Sequence, residues 1–456
     1  MSTNIQKNQI TEGIIWRQLL LFFFPILLGT FFQQLYNTID SVIVGQFVGK
    51  EALAAVGGSS AQIVAFVVGF FTGLSSGASV TIAQFFGAKD SRSANKGLHT
   101  AYAIAAFGGL ILTVSGIILT PFLLEMMNTP ADIVADSAVY LRIYFAGIIF
   151  VLIYNMGSAI LRATGDSKRP LYYLIVCCII NIVLDVLFVI VFHMGVMGVA
   201  VATLIAQAVS AVLVTLKLMR SEGILSVKQI RFHGSILKMQ LKLGLPTGFE
   251  AILFSITNIA IQSAVNTFGT DTTAAWSAYG KLDAIFWMVS TAFGIAITTF
   301  VGQNYGAGKM DRVRKSTRVC LLMDFIVSAV LVVFLIAARF LLFRLFTNDS
   351  HVIEIGCDML VLITPWYIVY VFIEVIAGAL RGVGNVVVPV VITLLGVCVL
   401  RIAWLAAMLK ISPTISAIIL SYPVTWVITA LAFIIYYIYI THKTIAGSSK
   451  KHVPKL

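Results

Sequence analysis

The chain has 456 residues, of which 59% are hydrophobic and only 11% charged, with a formal net charge of +12 and a mean hydropathy of +0.98. Globular domains carry about 25% charged residues, so this composition excludes a water-soluble protein and makes lipid the expected surroundings. The basic residues lie between apolar runs. They therefore indicate membrane topology rather than a nucleic acid partner.

Apolar runs long enough to cross a bilayer occur twelve times, since a spanning helix needs about 20 mostly apolar residues. The predicted spans of the first half cover 15–45, 52–84, 97–123, 134–161, 170–193 and 196–218. The predicted spans of the second half cover 238–267, 272–303, 315–346, 353–380, 386–409 and 413–441. The sequence thus predicts an all-α polytopic membrane protein.

The polar stretch between the sixth and seventh spans divides the chain. We predict a cytoplasmic N-terminus (1–14), an N-lobe (15–218), a cytoplasmic linker (219–237), a C-lobe (238–441) and a cytoplasmic tail (442–456). With this topology, 24 of the 31 Lys and Arg residues lie in inner segments and five in outer ones. This bias indicates a protein of the cell membrane whose N-terminus and C-terminus both lie in the cytoplasm.

An internal repeat relates the two halves. The segment Leu161–Pro170 recurs as Leu380–Pro389, and Ala83–Ala88 recurs as Gly302–Ala307, both at an offset of 219 residues. Six spans per half give both halves the same orientation. The repeat therefore predicts two six-helix lobes related by an axis along the membrane normal.

Polar residues within the first-half spans form one predicted pocket. A polar stripe runs along the first span, and a second lies in the fifth, where Asn181 and Asp185 are four residues apart. The full set, with neighbours in the fourth and sixth spans, is Gln33, Tyr36, Asn37, Asp40, Asn155, Asn181, Asp185 and Thr203. Ionisable groups in a span cost at least ~2.5 kcal/mol on insertion scales and so indicate function, here proton uptake and release. Hydrogen bonds between helices are the alternative.

The second half carries further acids within predicted spans. Glu250 lies four residues after Pro246, and Glu374 occupies the repeat position of Asn155. Both are expected to face the central cavity. Asp283 is a third candidate, two residues from Lys281 and therefore on a different helix face.

Other charged and proline residues are expected to have structural roles or to allow motion. Asp324 and Arg401 are predicted to form structural contacts, and Arg381 is expected in a cytoplasmic turn. Pro25 and Pro246 each remove a backbone donor within a long apolar span and predict local helix bends, either for packing or for motion.

The sequence contains no nucleotide-binding loop and no hydrolase motif. We therefore expect a protein that is not an enzyme, needs no cofactor and is not driven by ATP.

Several motifs together resemble the multidrug and toxic compound extrusion (MATE) family, in particular its prokaryotic DinF-like branch. They are Tyr36–Asp40, Val44–Gly57, the Gln84–Ala88 and Gln303–Ala307 repeat, Leu161–Asp166 and Gly195–Thr203. The resemblance covers essentially the whole chain and implies a V-shaped pair of six-helix lobes.

This resemblance implies a secondary active antiporter that exports lipophilic organic cations in exchange for H⁺ or Na⁺ by alternating access. In DinF-like members the coupling site matches Asp40, Asn181 and Asp185, with Tyr36, Asn155 and Thr203 as accessory positions. A second cation site in the NorM-like branch matches Glu250 and, more loosely, Glu374. Na⁺ is the metal ion that either set of oxygen ligands would take.

The substrate cavity and the partners follow from the same resemblance. The expected lining residues are Gln33, Gln34, Asn37, Asn258, Trp287 and Met288. Trp287 and Met288 would contact a flat cation, with core or lipid packing as the alternative. The expected partners are small organic cations and the bilayer, and the chain is expected to be a monomer. A flippase for lipid-linked saccharides and a channel are the rival functions.

Overall fold

The computed structural model describes residues 9–220 and 230–448, with side chains up to 442. The described chain is helical without strands, and twelve of its helices are long and apolar enough to cross a membrane. Part of the predicted linker, residues 221–229, lies outside the described residues, as do 1–8 and 449–456.

The twelve predicted spans are confirmed. Spans 1 to 6 are Ile15–Phe47, Lys50–Gly87, Ser91–Met126, Val134–Ala163, Lys168–Val191 and Gly195–Met219. Spans 7 to 12 are Gly234–Asn266, Thr270–Gly306, Met310–Arg344, Ser350–Gly382, Val387–Ile411 and Ile415–His442. No observed end differs from its predicted end by more than six residues. Hydropathy sufficed because each connection between described spans contains at least one glycine, proline or polar residue.

Four spans are not uniform α-helices. Span 2 is interrupted at Gly58, and span 10 contains a short 3₁₀ segment, Thr364–Trp366. Spans 5 and 11 each contain a six-residue π-helical segment, Val186–Val191 and Leu394–Val399. Such segments are rare and frequently lie at functional sites.

The turns after spans 4 and 10 show that the sequence repeat is also a repeat of backbone structure. Gly165 and Gly384 have left-handed φ values of 96° and 88°, which glycine adopts at little cost. The residue after each glycine donates its N–H to Leu161 O at 2.9 Å and to Leu380 O at 3.0 Å, respectively. Both helices therefore end in the same glycine cap, at the positions that the 219-residue offset relates.

The described chain forms two compact units. The amino-terminal unit is Phe22–Phe249, and the carboxy-terminal unit comprises the described residues of Met1–Leu21 and Glu250–Leu456. Their boundaries lie within spans 1 and 7, so each of these helices contributes to both units. The assignment of residues 15–218 and 238–441 to two lobes stays a prediction.

Spans 2 and 7 cross at glycines within the amino-terminal unit. A Cβ added to Gly73 would lie 2.5 Å from Gly248 Cα, and one added to Gly77 would lie 2.5 Å from Gln240 O. Gly244 is equally restricted, with Leu74 Cα 2.8 Å from its Cβ position. The two backbones are thus in direct contact, as at close helix crossings in membranes.

A short helix, Gln9–Glu12, fixes the start of span 1 to the carboxy-terminal unit. Lys309 Nζ donates to Thr11 O at 3.0 Å. Arg312 donates to Ile10 O through Nε at 3.1 Å and Nη2 at 3.0 Å. Cationic donors thereby satisfy carbonyl groups at the C-terminal end of the short helix, where positive charge is favourable.

Asp90 caps the first turn of span 3, where its carboxylate accepts a hydrogen bond from Ser93 N at 3.0 Å. This backbone donor holds the pKa of Asp90 below its ordinary value of 3.8. We expect Asp90→Ala to lower the free energy of unfolding by about 1 kcal/mol at neutral pH. Because the pKa is lower in the folded protein, the difference from wild type shrinks as the pH falls below about 4.

Thermal unfolding in detergent at several pH values measures this effect. Asp90→Asn is the matched control, since an amide oxygen also caps a helix but does not titrate. A constant difference between wild type and Asp90→Ala from pH 7 to pH 3 would contradict the assignment.

Candidate functional site

The amino-terminal unit brings together four buried side chains of spans 1, 5 and 6: Asp40, Asn181, Asp185 and Thr203, here called the carboxyl cluster. Asn181 Nδ2 donates to Thr203 Oγ1 at 3.5 Å, which donates to Asp40 Oδ2 at 3.5 Å. The Asp40 and Asp185 carboxyl groups are near enough for the charge of one to act on the other. Asn181 and Asp185 share a face of span 5 because they are one helical turn apart.

The carboxyl cluster has more acceptors than donors. Among the described residues, no backbone group or other side-chain donor reaches Asp40 Oδ1, Asn181 Oδ1 or either oxygen of Asp185. In the same part of the chain, no Lys, Arg or His lies within 4.0 Å of the Asp40 or Asp185 carboxylate. Ionised carboxylates only accept hydrogen bonds, and an unpaired buried charge is costly. The arrangement therefore suits a shared proton or a small bound cation.

Two predicted accessory residues lie in different environments. Tyr36 is buried, and its Oη accepts a hydrogen bond from Gln207 Nε2 at 3.2 Å. Gln207 lies one turn after Thr203 on span 6 and was not predicted, although the spacing of four residues indicates the shared face. Asn155 is half-buried, and no hydrogen bond joins its side chain to another described residue.

Span 1 also presents exposed polar side chains in the turns before Asp40. They are Gln33, Gln34 and Asn37. Amides rarely face lipid in the middle of a spanning helix, because no water is there to bond them. Their exposure therefore indicates a water-accessible surface of the amino-terminal unit.

In the carboxy-terminal unit, Arg381 lies beside two of the predicted acids, Glu374 and Glu250. Arg381 Nη2 donates to Glu374 Oε1 at 3.1 Å, and Arg381 Nη1 lies 4.0 Å from Glu250 Oε2. A Cβ on Gly294 would overlap the Glu374 carboxyl, so the glycine makes room for it. The expectation that Arg381 lies in a turn is wrong, since the residue lies within the helix Tyr367–Gly382. Its spacing of seven residues from Glu374 could have revealed the pair.

Asp283 is held by three aromatic donors. Tyr367 Oη donates to its Oδ1 at 2.5 Å, Tyr279 Oη to the same oxygen at 3.3 Å, and Trp287 Nε1 to Oδ2 at 2.6 Å. Tyr279 and Trp287 lie one turn before and after Asp283, so the sequence spacing already places them on one face. Tyr367 is 84 residues away in the chain and could not be predicted.

The other charged positions are separate from one another. Asp324 is buried and accepts a hydrogen bond from Ser328 Oγ at 3.2 Å, while Arg401 Nη2 donates to Thr425 Oγ1 at 2.9 Å. Lys281 is exposed. Asp324 and Arg401 therefore each form a hydrogen bond with a hydroxyl group. Their structural role stays a prediction.

Two of the predicted cavity residues, one in span 7 and one in span 8, differ in exposure. Asn258 is exposed, and Met288 is half-buried beside Trp287 in sequence. Pro25 and Pro246 lie inside helices that continue through both positions. Helix bending at the prolines remains a prediction.

Resident metal ions and disulfides have no visible basis in the described part of the chain. No group of three or more His, Cys, Asp or Glu side chains lies close enough to hold a metal ion there. The five cysteines are free and buried.

Comparison with known proteins places these features in context. The MatE family model matches residues 25–187 and 246–405. "Probable multidrug resistance protein YoeA" of Bacillus subtilis (strain 168) is 30% identical over 393 residues, 84% of each chain. "Probable multidrug resistance protein YpnP" of the same organism is 29% identical over 399 residues, 87% of this chain and 89% of the relative.

Solved structures agree with the fold. A MOP superfamily transporter from Pyrococcus furiosus Vc1 (DSM3638) superposes with a TM-score of 0.90 over 99% of this chain and all of its own, at 21% identity. At that identity the likeness concerns the fold alone. The family model extends over both halves of the chain and includes Asp40, Asp185 and Glu250.

Proposed function

The chain belongs to the MatE family of membrane transporters, and from this premise we propose that it is a secondary active antiporter that exports small organic cations in exchange for protons. Its multi-pass fold and its relatives named as multidrug resistance proteins support this proposal. We further propose that it acts as a monomer in the cell membrane, with both termini in the cytoplasm.

The imbalance between acceptors and donors in the carboxyl cluster carries the proposal. Asp40 and Asp185 are near enough for their charges to interact, and no described basic residue pairs with either. One proton shared by the two carboxyl groups removes one buried charge and supplies the missing donor. When the proton leaves, the cluster gains a negative charge that attracts a cation.

The candidate acids of the carboxy-terminal unit have cationic or hydrogen-bonding partners, which stabilise their ionised form without a bound proton. Glu250 and Glu374 share Arg381, and Asp283 accepts three hydrogen bonds. Asp324 is not one of these candidates: its Oδ1 accepts from the Ser328 hydroxyl, and its Oδ2 has no donor among the described residues. We therefore assign coupling to Asp40 and Asp185 rather than to the second set of candidates.

The exposed amides of span 1 favour binding of the exported compound near the same cluster. Gln33, Gln34 and Asn37 lie within two turns of Asp40 and present donors and acceptors to water. An organic cation bound there is stabilised by ionised Asp40 and loses that attraction when a proton binds. Proton and cation then favour different states, which reciprocal coupling requires. Bending of spans 1 and 7 at Pro25 and Pro246 is our proposed means of exchange between these states.

Transport of a fluorescent cation into proteoliposomes tests the function and the coupling ion. We expect a pH gradient of two units to raise the initial rate about tenfold or more, within the usual range of coupling factors. A Na⁺ gradient at equal pH on both sides should give the rate seen without a gradient. A proton ionophore should abolish the stimulation, and protein-free liposomes provide the background.

Two outcomes would contradict the proposal in different ways. Stimulation by the Na⁺ gradient alone would overturn the proton assignment and leave antiport intact, with the same oxygen atoms as Na⁺ ligands. Flux that neither saturates nor responds to either gradient would indicate a channel.

A further inference from the structure

Arg401 of span 11 is a buried cation that lies against aromatic rings. Its side chain is 2% exposed, and its Cζ lies 4.0 Å from the centroid of the Tyr422 ring and 5.9 Å from that of Trp426. These two rings are 5.5 Å apart and nearly perpendicular, with an interplanar angle of 79°. Tyr422 and Trp426 thus form a two-sided seat, here called the aromatic corner.

The guanidinium is not the partner of a carboxylate. Among the described residues, no Asp or Glu oxygen lies within 4.0 Å of it, and its one hydrogen bond goes to Thr425 Oγ1. Arg401 Nε and Trp426 Nε1 have no acceptor in the same described set. Asp283 of span 8 accepts its hydrogen bonds from three aromatic side chains. If Arg401 formed a structural ion pair, its guanidinium would contact a carboxylate. No described carboxylate does so, and the aromatic rings are therefore the main partners of this cation.

Two aromatic faces within about 6 Å of a positive charge form a recognition site for organic cations, including quaternary ammonium groups. The aromatic corner has this geometry, and the cation that occupies it belongs to the chain itself. The Arg401 side chain is part of the chain and loses no translational freedom when it lies in the corner. A free ligand loses that freedom when it binds. Free cations therefore compete poorly for these rings.

We propose that Arg401 is a specificity-determining residue, which fills the aromatic corner with a tethered guanidinium and so keeps free organic cations out of it. Replacing Arg401 by methionine, which is uncharged and shorter, removes the guanidinium and opens the corner to planar or quaternary organic cations. The inference rests on the proposed function, in that the chain is taken to handle organic cations. It concerns a different residue set from the carboxyl cluster.

Equilibrium dialysis of ethidium against the full-length protein in detergent, at one pH and without a gradient, tests the proposal. We expect Arg401→Met to bind one more ethidium per chain than wild type. Arg401→Lys keeps a positive charge on the tether and should show no additional site. Arg339→Met is the matched control, because Arg339 also stacks on a ring, with its Cζ 4.6 Å from the Phe340 centroid.

The proposal is overturned if Arg401→Met is folded, as judged by gel filtration and thermal unfolding, and binds no additional ethidium. If Arg401→Met does not fold, Tyr422→Leu decides. With Arg401 in place, loss of the Tyr422 ring should change ethidium binding less than twofold. A loss of fivefold or more would show that free cations already use the corner, and would overturn the proposal.

These measurements separate this inference from the proposed function. Ethidium binding without a gradient does not require proton coupling, whereas transport into proteoliposomes does. Failure of Arg401→Met to gain a site leaves antiport through Asp40 and Asp185 untouched. Failure of gradient-driven transport leaves the binding result at Arg401 to be judged by itself.

Discussion

Asp40→Asn and Asp185→Asn should each lower proton-driven efflux by a factor of about ten to a hundred. Such a factor corresponds to the loss of a coupling free energy of about 1 to 3 kcal/mol, the usual range. Each change removes a titratable group from a pair that we propose shares one proton. The new amide supplies a donor to a cluster in which Asp40 Oδ1 and both Asp185 oxygens have none from other groups. We therefore expect the folded protein to be retained while coupling is lost. Initial rates at a fixed pH gradient provide the measurement.

The control for this prediction is a carboxylate outside the cluster. Asp271 lies exposed in the first turn of span 8, and Asp271→Asn should transport within twofold of wild type. Thermal unfolding of each variant in detergent checks that the protein is intact. Wild-type rates in Asp40→Asn, with an unchanged response to the pH gradient, would remove Asp40 from the coupling site.

Gly73→Ala should have the largest effect on stability, because the added methyl group meets backbone rather than a movable side chain. Its Cβ would overlap Gly248 N and lie 2.5 Å from Gly248 Cα. Spans 2 and 7 would have to separate along their crossing, where Gly77 and Gly244 are packed as tightly. We expect the free energy of unfolding to fall by about 3 kcal/mol or more, the upper part of the range for overpacking.

Gly29→Ala is the matched control, since no atom lies within 4 Å of the position of its added Cβ in span 1. Alanine has the higher helix propensity, so this change should be neutral or stabilising by up to about 1 kcal/mol. Thermal unfolding and the yield of monodisperse protein after gel filtration measure both variants. Equal stability of Gly73→Ala and Gly29→Ala would contradict a direct backbone contact.

The spans and the repeat could be predicted because their causes are local. Twenty apolar residues mark a span wherever they occur, and the 219-residue repeat preserved turns whose geometry depends on a few neighbouring residues. Gly165 and Gly384 show this clearly, since both take a left-handed conformation in the same hydrogen-bonded cap. The six-residue shift at the start of span 3 arose because polar residues after Ser91 continue the helix beyond its apolar part.

Two signals predicted parts of the site: residues that share a helix face, and polar residues inside spans 1, 5 and 6, which were expected to meet in one pocket. Spacing of four residues joins Asn181 to Asp185, and spacing of seven joins Glu374 to Arg381, a pair that the assumption of a turn concealed. Other contacts between distant spans carry no such signal. The bond from Tyr367 to Asp283 and the meeting of Gly73 with Gly248 depend on how helices pack, which neither hydropathy nor spacing specifies.

The π-helical segments of spans 5 and 11 have a consequence for insertions and deletions. One follows Asp185 directly, and the other ends two residues before Arg401. A π segment accommodates an extra residue within an otherwise regular helix. Deleting one residue from Leu394–Val399 would let span 11 return to regular α geometry, with Arg401 still on its present helix face. In an uninterrupted span the same deletion would rotate every later side chain by about 100°. Span 11 is therefore one place in the described chain where a single residue can be lost without moving Arg401 to another helix face.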